Sequence, residues 1–161
     1  MRIPKKPLPR LPHVVPPSGR RTGEAVIPQR APFVDERGEI QNLIDAAFTS
    51  AAVVTSRKGA IRGIHYHKTD DHYCWLQRGG MIYFHRPYGD RRPPQRWVIK
   101  PGQLFYTPPR YEHAMQFTEE SVMLVFARNN REMAHYEADT VRIPLVPFDE
   151  LHETRYTSTK A

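Results

Sequence analysis

Three histidines fall within eight residues, in the run Gly63-Ile64-His65-Tyr66-His67-Lys68-Thr69-Asp70-Asp71-His72. Alternate residues of a β-strand share a face, so His65 and His67 project the same way, roughly 6.5 to 7 Å apart. A turn over Lys68 to Asp71 would bring the chain back with His72 at the entrance of the next strand, alongside them. His113 follows the turn Pro108-Pro109-Arg110-Tyr111, at the start of a strand far off in sequence. Imidazoles gathered in one interior can do two kinds of chemistry. With an unperturbed pKa near about 6.5, an imidazole moves protons at neutral pH. As neutral ligands, several together suit a divalent Zn, Fe, Ni or Mn ion. An HxH pair alone is a weak signal, and its companions give it weight. His13, His85, His135 and His152 stand apart and are read as ordinary surface or core histidines.

The elements that must position these residues are short. From Ala25 onward, apolar stretches of three to six residues alternate with turn signals: Ala25–Ile27, Ile40–Ile44, Ala51–Thr55, Ile61–Tyr66, Tyr73–Leu76, Met81–His85, Arg96–Ile99, Leu104–Thr107, Ala114–Phe117, Val122–Phe126 and Val141–Val146. They are rich in Val, Ile, Tyr, Phe and Thr, and are broken by Arg78-Gly79-Gly80, Pro87-Tyr88-Gly89-Asp90, Pro93-Pro94 and Pro101-Gly102. This grammar predicts an all-β antiparallel sandwich or barrel. Only Ile44–Phe48 and Asn130–Ala138 suit short helices, and there is no internal repeat.

Composition excludes other classes. The chain has 161 residues, 39% hydrophobic and 25% charged, enough for one domain with one core. No apolar run approaches the roughly 18 residues of a membrane span, so no membrane partner is expected. The single cysteine, Cys74, excludes an intrachain disulfide and any CxxC motif, and fits a reducing cytoplasm. The net charge of +7 sits at one end. Residues 1 to 31 hold seven of the 24 basic residues and one of the 17 acids, leaving 17 against 16 elsewhere. That segment also carries seven of the sixteen prolines and no interleaved aromatics. It reads as a flexible, basic Pro-rich arm over residues 1–22, ahead of a domain spanning 23–161, and not as a nucleic-acid-binding element.

At this point the residues carry a resemblance, to the cupin superfamily. Gly59, His65, His67, His72 and Gly79 fill the frame of the first cupin motif, with His72 where that motif has glutamate. Gly102, Pro108, Arg110 and His113 fill the second, with Arg110 in place of a glycine. Within the superfamily the chain is similar to the enzymes of dTDP-4-keto-6-deoxyhexoses, the 3,5-epimerases and 3,4-ketoisomerases. Phe33-Val34-Asp35-Glu36-Arg37-Gly38 resembles their F-x-D-x-R-G, and Ser56-Arg57-Lys58-Gly59-Ala60-Ile61-Arg62-Gly63-Ile64-His65 their S-x-K-G-x-x-R-G-x-H. His67-Lys68 and the late segment His135-Tyr136-Glu137-Ala138-Asp139 look like the ketoisomerases. Where the 3,5-epimerases carry a catalytic tyrosine, this chain has Leu124-Val125-Phe126, without a hydroxyl.

The resemblance implies a single jelly-roll cupin barrel, a homodimer, and a cytoplasmic isomerase of a nucleotide-linked 4-keto-6-deoxy sugar in the making of a polysaccharide or glycosylated product. It implies His65 as the proton-abstracting base and Arg62 as a partner of the nucleotide diphosphate. The chemistry also needs an acid, for which His67 and Tyr106 are the candidates, and Lys68, Arg78 and Arg37 are further substrate-binding candidates. Strict alternation puts Arg62 opposite His65, unless Gly63 permits a bulge or Arg62 serves a neighbouring subunit. The expectation for cofactors is none, or one divalent metal on His65, His67, His72 and His113. Two other readings stay open: a metal-dependent cupin of other chemistry, such as an oxygenase or small-molecule isomerase, and a non-catalytic sugar-binding barrel.

Overall fold

The computed structural model describes residues 25–144. The expected arm over residues 1–22, His13 and His152 lie outside them. Twelve strands and one helix follow in order: β1 (Val26–Ile27), β2 (Phe33–Asp35), β3 (Gly38–Ile40), β4 (Ser50–Ser56), β5 (Ile61–His67), β6 (His72–Arg78), β7 (Met81–Pro87), β8 (Gln95–Ile99), β9 (Leu104–Thr107), β10 (Tyr111–Phe117), β11 (Ser121–Ala127), α1 (Met133–Asp139) and β12 (Thr140–Arg142). The strands form two five-stranded sheets, β1-β9-β6-β11-β4 and β12-β5-β10-β7-β8, with β2-β3 as a separate hairpin. All pairings are antiparallel.

Period-2 alternation makes the interior. On β6, His72, Cys74 and Leu76 are buried while Tyr73 and Trp75 are half-exposed; on β11, Ser121, Met123, Val125 and Ala127 turn inward. Leu76, Met81, Tyr83, Ile99, Phe105, Phe117 and Met123 form the closed apolar floor between the sheets. Each such side chain, fully buried, contributes on the order of 1.5–3 kcal/mol. Along three strands that interior then turns polar at matching heights. Leu76 and Cys74 lead to His72, Phe117 and Met115 to His113, and Met81 and Tyr83 to His85. The Tyr83 and Thr107 hydroxyls meet at 2.7 Å within this polar end and satisfy each other there.

Four expectations need correction. Ile44–Phe48 is irregular chain and not a helix, and the strand expected over Ile40–Ile44 stops at Ile40. Phe33–Asp35, read as a motif and not as a strand, is one arm of the β2–β3 hairpin, whose turn Asp35 stabilises by accepting from the Arg37 backbone and guanidinium. The late helix begins at Met133, three residues inside the expected span.

Candidate active site

β5 carries the site, and it is not a regular strand. Gly63 has φ +85°, Ile64 φ +62°, and the register against β10 shifts so that His65 faces His113 while Gly63 faces Ala114. Ile64 is therefore the extra residue of a bulge. Glycine is required at 63, because a Cβ there would lie 2.9 Å from the His113 carbonyl oxygen and 3.3 Å from its ring. The bulge also flips the face of everything before it. Arg62 now opposes Met115, a core residue on the same face as His113, so the bulge puts Arg62 on that side of the strand, where its side chain stays exposed.

The four expected histidines converge. Ring centroids lie 4.7 Å apart for His65–His67 and His65–His113, 5.5 Å for His67–His72 and 5.4 Å for His72–His113. All four are buried, His65 least so at 9% exposure. Burial pushes His65, His67 and His113 down to about 3, helped by neighbouring rings and by the Arg131 guanidinium. The same causes, burial first, hold His72 well below its ordinary value. The imidazoles are thus neutral at pH 7.

Their hydrogen bonds fix which nitrogen carries the proton. His113 donates from Nδ1 to the Tyr111 carbonyl at 3.0 Å, leaving a lone pair on Nε2. His67 Nδ1 stands 3.4 Å from both the Asp139 carboxylate and the Thr140 hydroxyl. Its Nε2 is buried with no hydrogen-bond partner among the described residues. Asp139 accepts from the Thr69 amide and hydroxyl and from the Asp70 amide. Burial pushes that carboxyl up, but these bonds outweigh it and hold Asp139 below its ordinary value, ionised. His72 is the opposite case: Arg131, which can only donate, gives a hydrogen bond to its Nδ1 at 3.1 Å, so the neutral ring carries its proton on Nε2.

This tests the metal expectation. His65, His67 and His113 offer ligand nitrogens that all lie within 4.8 Å of one another. With an unpartnered lone pair on His67, these three fit a divalent cation. His72 does not complete a four-histidine set, because the lone pair it has is occupied by Arg131. The neighbouring Asp70 is likewise committed, to Arg131 and to the Asn129 amide.

The other expected site residues are placed elsewhere. Tyr106 pairs with Tyr73, which points away from His72 on β6, so it lies on the outer face of its sheet and donates to Asp71 at 2.7 Å. It is therefore not the acid at this cluster. Lys68 is spent on docking α1, donating to the Ala138 carbonyl at 2.8 Å. Arg78 ends β6, six residues and about 20 Å beyond His72. Arg37 is held in its own hairpin by Asp35. Arg62 bonds the Ser56 hydroxyl and the Thr55 carbonyl.

The residues that sequence reasoning missed all come from the segment after β11. Asp139 backs His67, and Arg131 joins Asp70 to His72. The Tyr136 ring lies 6.2 Å from that of His65 and 5.6 Å from that of His67. β12 pairs with β5 so that Thr140 opposes His67 and Arg142 opposes His65. The forward signals were the late helix and the resemblance of His135-Tyr136-Glu137-Ala138-Asp139 to the ketoisomerases; the docking of this segment onto the HxH strand is a long-range pairing that no local pattern announces.

No protein-family model matches the sequence, and no curated protein is significantly similar to it. Solved structures are similar in fold. A sugar 3,4-ketoisomerase from Thermoanaerobacterium thermosaccharolyticum, in complex with TDP, is 22% identical with a TM-score of 0.61, over 77% of this chain and 90% of that one. The 3'-monoepimerase ChmJ from Streptomyces bikiniensis, in complex with dTDP-quinovose, is 15% identical with a TM-score of 0.64, over 87% and 79%. A dTDP-4-dehydrorhamnose 3,5-epimerase from Sulfolobus tokodaii is 18% identical with a TM-score of 0.57, over 71% and 74%. These likenesses establish the all-β jelly-roll cupin fold.

Neutral burial of the histidines sets a pH dependence. Unfolded, each imidazole takes up a proton near pH 6.5; folded, His65, His67 and His113 resist doing so until about 3. Between those limits the unfolded chain binds more protons, so stability is complete above about pH 6.5 and falls with acidification, by up to roughly 1.4 kcal/mol per pH unit for each histidine. Urea unfolding at several pH values between about 7.5 and 5 should show this decline, and a shallower one for His113→Gln. A midpoint unchanged down to pH 5 would contradict the burial of neutral rings.

Proposed function

We propose that the protein is an isomerase of a nucleotide-linked 4-keto-6-deoxy sugar, working by proton removal from the carbon beside the ketone. One observation carries this reading: His67 has a buried, unpartnered Nε2 lone pair in front and the ionised Asp139 behind, in a fold shared with sugar-nucleotide ketoisomerases and epimerases. The hydrogen on C3 of such a sugar is acidified by the neighbouring carbonyl. His67 Nε2 takes it, and the imidazolium that forms is stabilised by Asp139, as a carboxylate stabilises a histidine base generally. The negative enolate beside the ring offsets the burial that otherwise opposes this charge. The charges acting on His65, which the resemblance implies for the role, are those of Arg131 and Arg142, which oppose its protonation, so His67, backed by Asp139, is the better-supported base.

The finer reading is cytoplasmic supply of modified sugars for a polysaccharide or glycosylated product, by a homodimer. The open edge of β4, where Val53 is 68% exposed, supports the dimer, since unpaired strand edges are usually covered. For the reaction, dTDP-4-keto-6-deoxyglucose in deuterium oxide should acquire solvent deuterium without any added redox cofactor. Exchange should fall at least about 100-fold in His67→Asn and about tenfold or more in Asp139→Asn. Undiminished exchange in His67→Asn would remove His67 from the role of base.

A second reading rests on the three neutral imidazoles within 4.8 Å: His65, His67 and His113 holding one divalent Zn, Fe, Ni or Mn ion. Such an ion supplies Lewis-acid polarisation of a bound carbonyl oxygen. His67 would then be a ligand and unavailable as base. Metal analysis of protein purified without chelator separates the two. Stoichiometric metal that is lost in His113→Ala favours the ion, and metal-free protein with full exchange activity favours the His67 base.

A further inference from the structure

Keto migration needs more than a base. After the C3 hydrogen leaves, the ketone oxygen must gain a proton and the neighbouring hydroxyl must lose one, so a single group able to give and take is required close to both oxygens. Among the described residues, hydroxyls border the histidine cluster at three places, one of them the Tyr83–Thr107 pair. That of Thr140 lies behind His67 at Nδ1, and that of Tyr83 is bound to Thr107. The third belongs to Tyr136, half-buried on α1, with its ring against His65 and His67 and no hydrogen-bond partner for its hydroxyl among the described residues. Its ring face is held by the Arg131 guanidinium at 5.5 Å. It also interacts electrostatically with Arg142, which opposes His65 in the β12–β5 ladder and so shares its face. The phenol is thereby placed beside the least buried of the four rings, where a sugar would enter.

The Tyr136 ring is in edge contact with that of His67, 5.6 Å between centroids, and His67 keeps its unpartnered Nε2. Inversion of a carbon needs a donor on the face opposite the base, whereas a single base that carries the hydrogen from one carbon to the next works on one face. Building on the isomerase reading above, we propose that Tyr136 is a catalytic residue, the hydroxyl that relays a proton between O3 and O4, and that the reaction it serves is keto migration. The steps balance. His67 breaks C3–H to leave an enolate on O4, and Tyr136 then gives its proton to O4 to form the C3=C4 enediol. The resulting phenolate takes the proton from O3 as the C3=O bond forms, and His67 returns its proton to C4. Nothing is oxidised or reduced overall, and both side chains end as they began.

The test uses the full chain with dTDP-4-keto-6-deoxyglucose in deuterium oxide, following deuterium at C3 and formation of the 3-keto product separately. Tyr136→Phe keeps the ring contacts and the cation–π partner, so the fold is retained. Product formation is expected to fall at least about 100-fold with KM within about threefold, while exchange at C3 falls less than about tenfold. A product rate within threefold of the unsubstituted protein overturns the relay, and so does an equal fall in exchange and product, which a merely supporting tyrosine would give. If the unsubstituted protein exchanges no hydrogen at all, the isomerase reading itself fails, and with it the relay. An unsubstituted protein that exchanges at C3 but yields only the C3 epimer leaves the isomerase reading standing and overturns the relay alone.

Discussion

One carboxylate holds the site together. Asp139 accepts three hydrogen bonds from Thr69 and Asp70 and stands 3.4 Å from His67 Nδ1, so it ties the end of α1 to the β5–β6 loop while orienting the imidazole. No residue of α1 is buried, so the helix cannot be held by an apolar face. It stays because of polar anchors: Asp139, Lys68 on the Ala138 carbonyl, and the Tyr136 ring over the histidines. The same contacts that dock the helix therefore back the histidine cluster. Loss of Asp139 would loosen the element that carries Tyr136 as well as the ring it backs.

The cost of this arrangement is borne by the interior. Two of the four imidazoles, His72 and His113, occupy inward positions of strands whose next inward residues are Cys74 and Leu76 on β6 and Met115 and Phe117 on β10. Burial keeps them neutral, and a neutral ring must have its donor nitrogen satisfied and its lone pair exposed to something useful. Tyr111 satisfies the donor of His113, Asp139 and Thr140 stand at that of His67, and Arg131 occupies the lone pair of His72. What remains is an unpartnered nitrogen on His67, within 4.8 Å of ligand nitrogens of His65 and His113. The Arg131 charge, shared with Asp70, adds a positive field that favours an anion forming there.

Much of the fold was legible because it depends on local pattern. Period-2 runs bounded by Pro and Gly gave ten of the strands to within a few residues, and the HxH spacing gave two rings on one face. Glycine at 63 also signalled a bulge, and the bulge is what puts Arg62 on the same side of its strand as Met115 and His113. What was not legible depends on pairing between distant segments. Tyr106 reads as a site tyrosine because it precedes the Pro108 turn, yet the parity of its strand turns it outward toward Asp71. Arg78 and Lys68 read as free cations near the motif, and one is at the other end of its strand while the other caps a helix. Asp139, Arg131 and Tyr136 enter the site through contacts between distant segments, the β12–β5 ladder and the bonds of Asp139 and Arg131 to the β5–β6 loop.

The account rests on the ring tautomers, since these decide which nitrogen can take a proton or a metal ion. Long-range proton–nitrogen NMR of the imidazoles at pH 7, on chelator-treated protein, reads them directly. The structure predicts neutral His67 and His113 protonated on Nδ1, and neutral His72 protonated on Nε2. A His67 that is doubly protonated at pH 7, or that carries its proton on Nε2, would have no lone pair at Nε2 and would contradict this assignment.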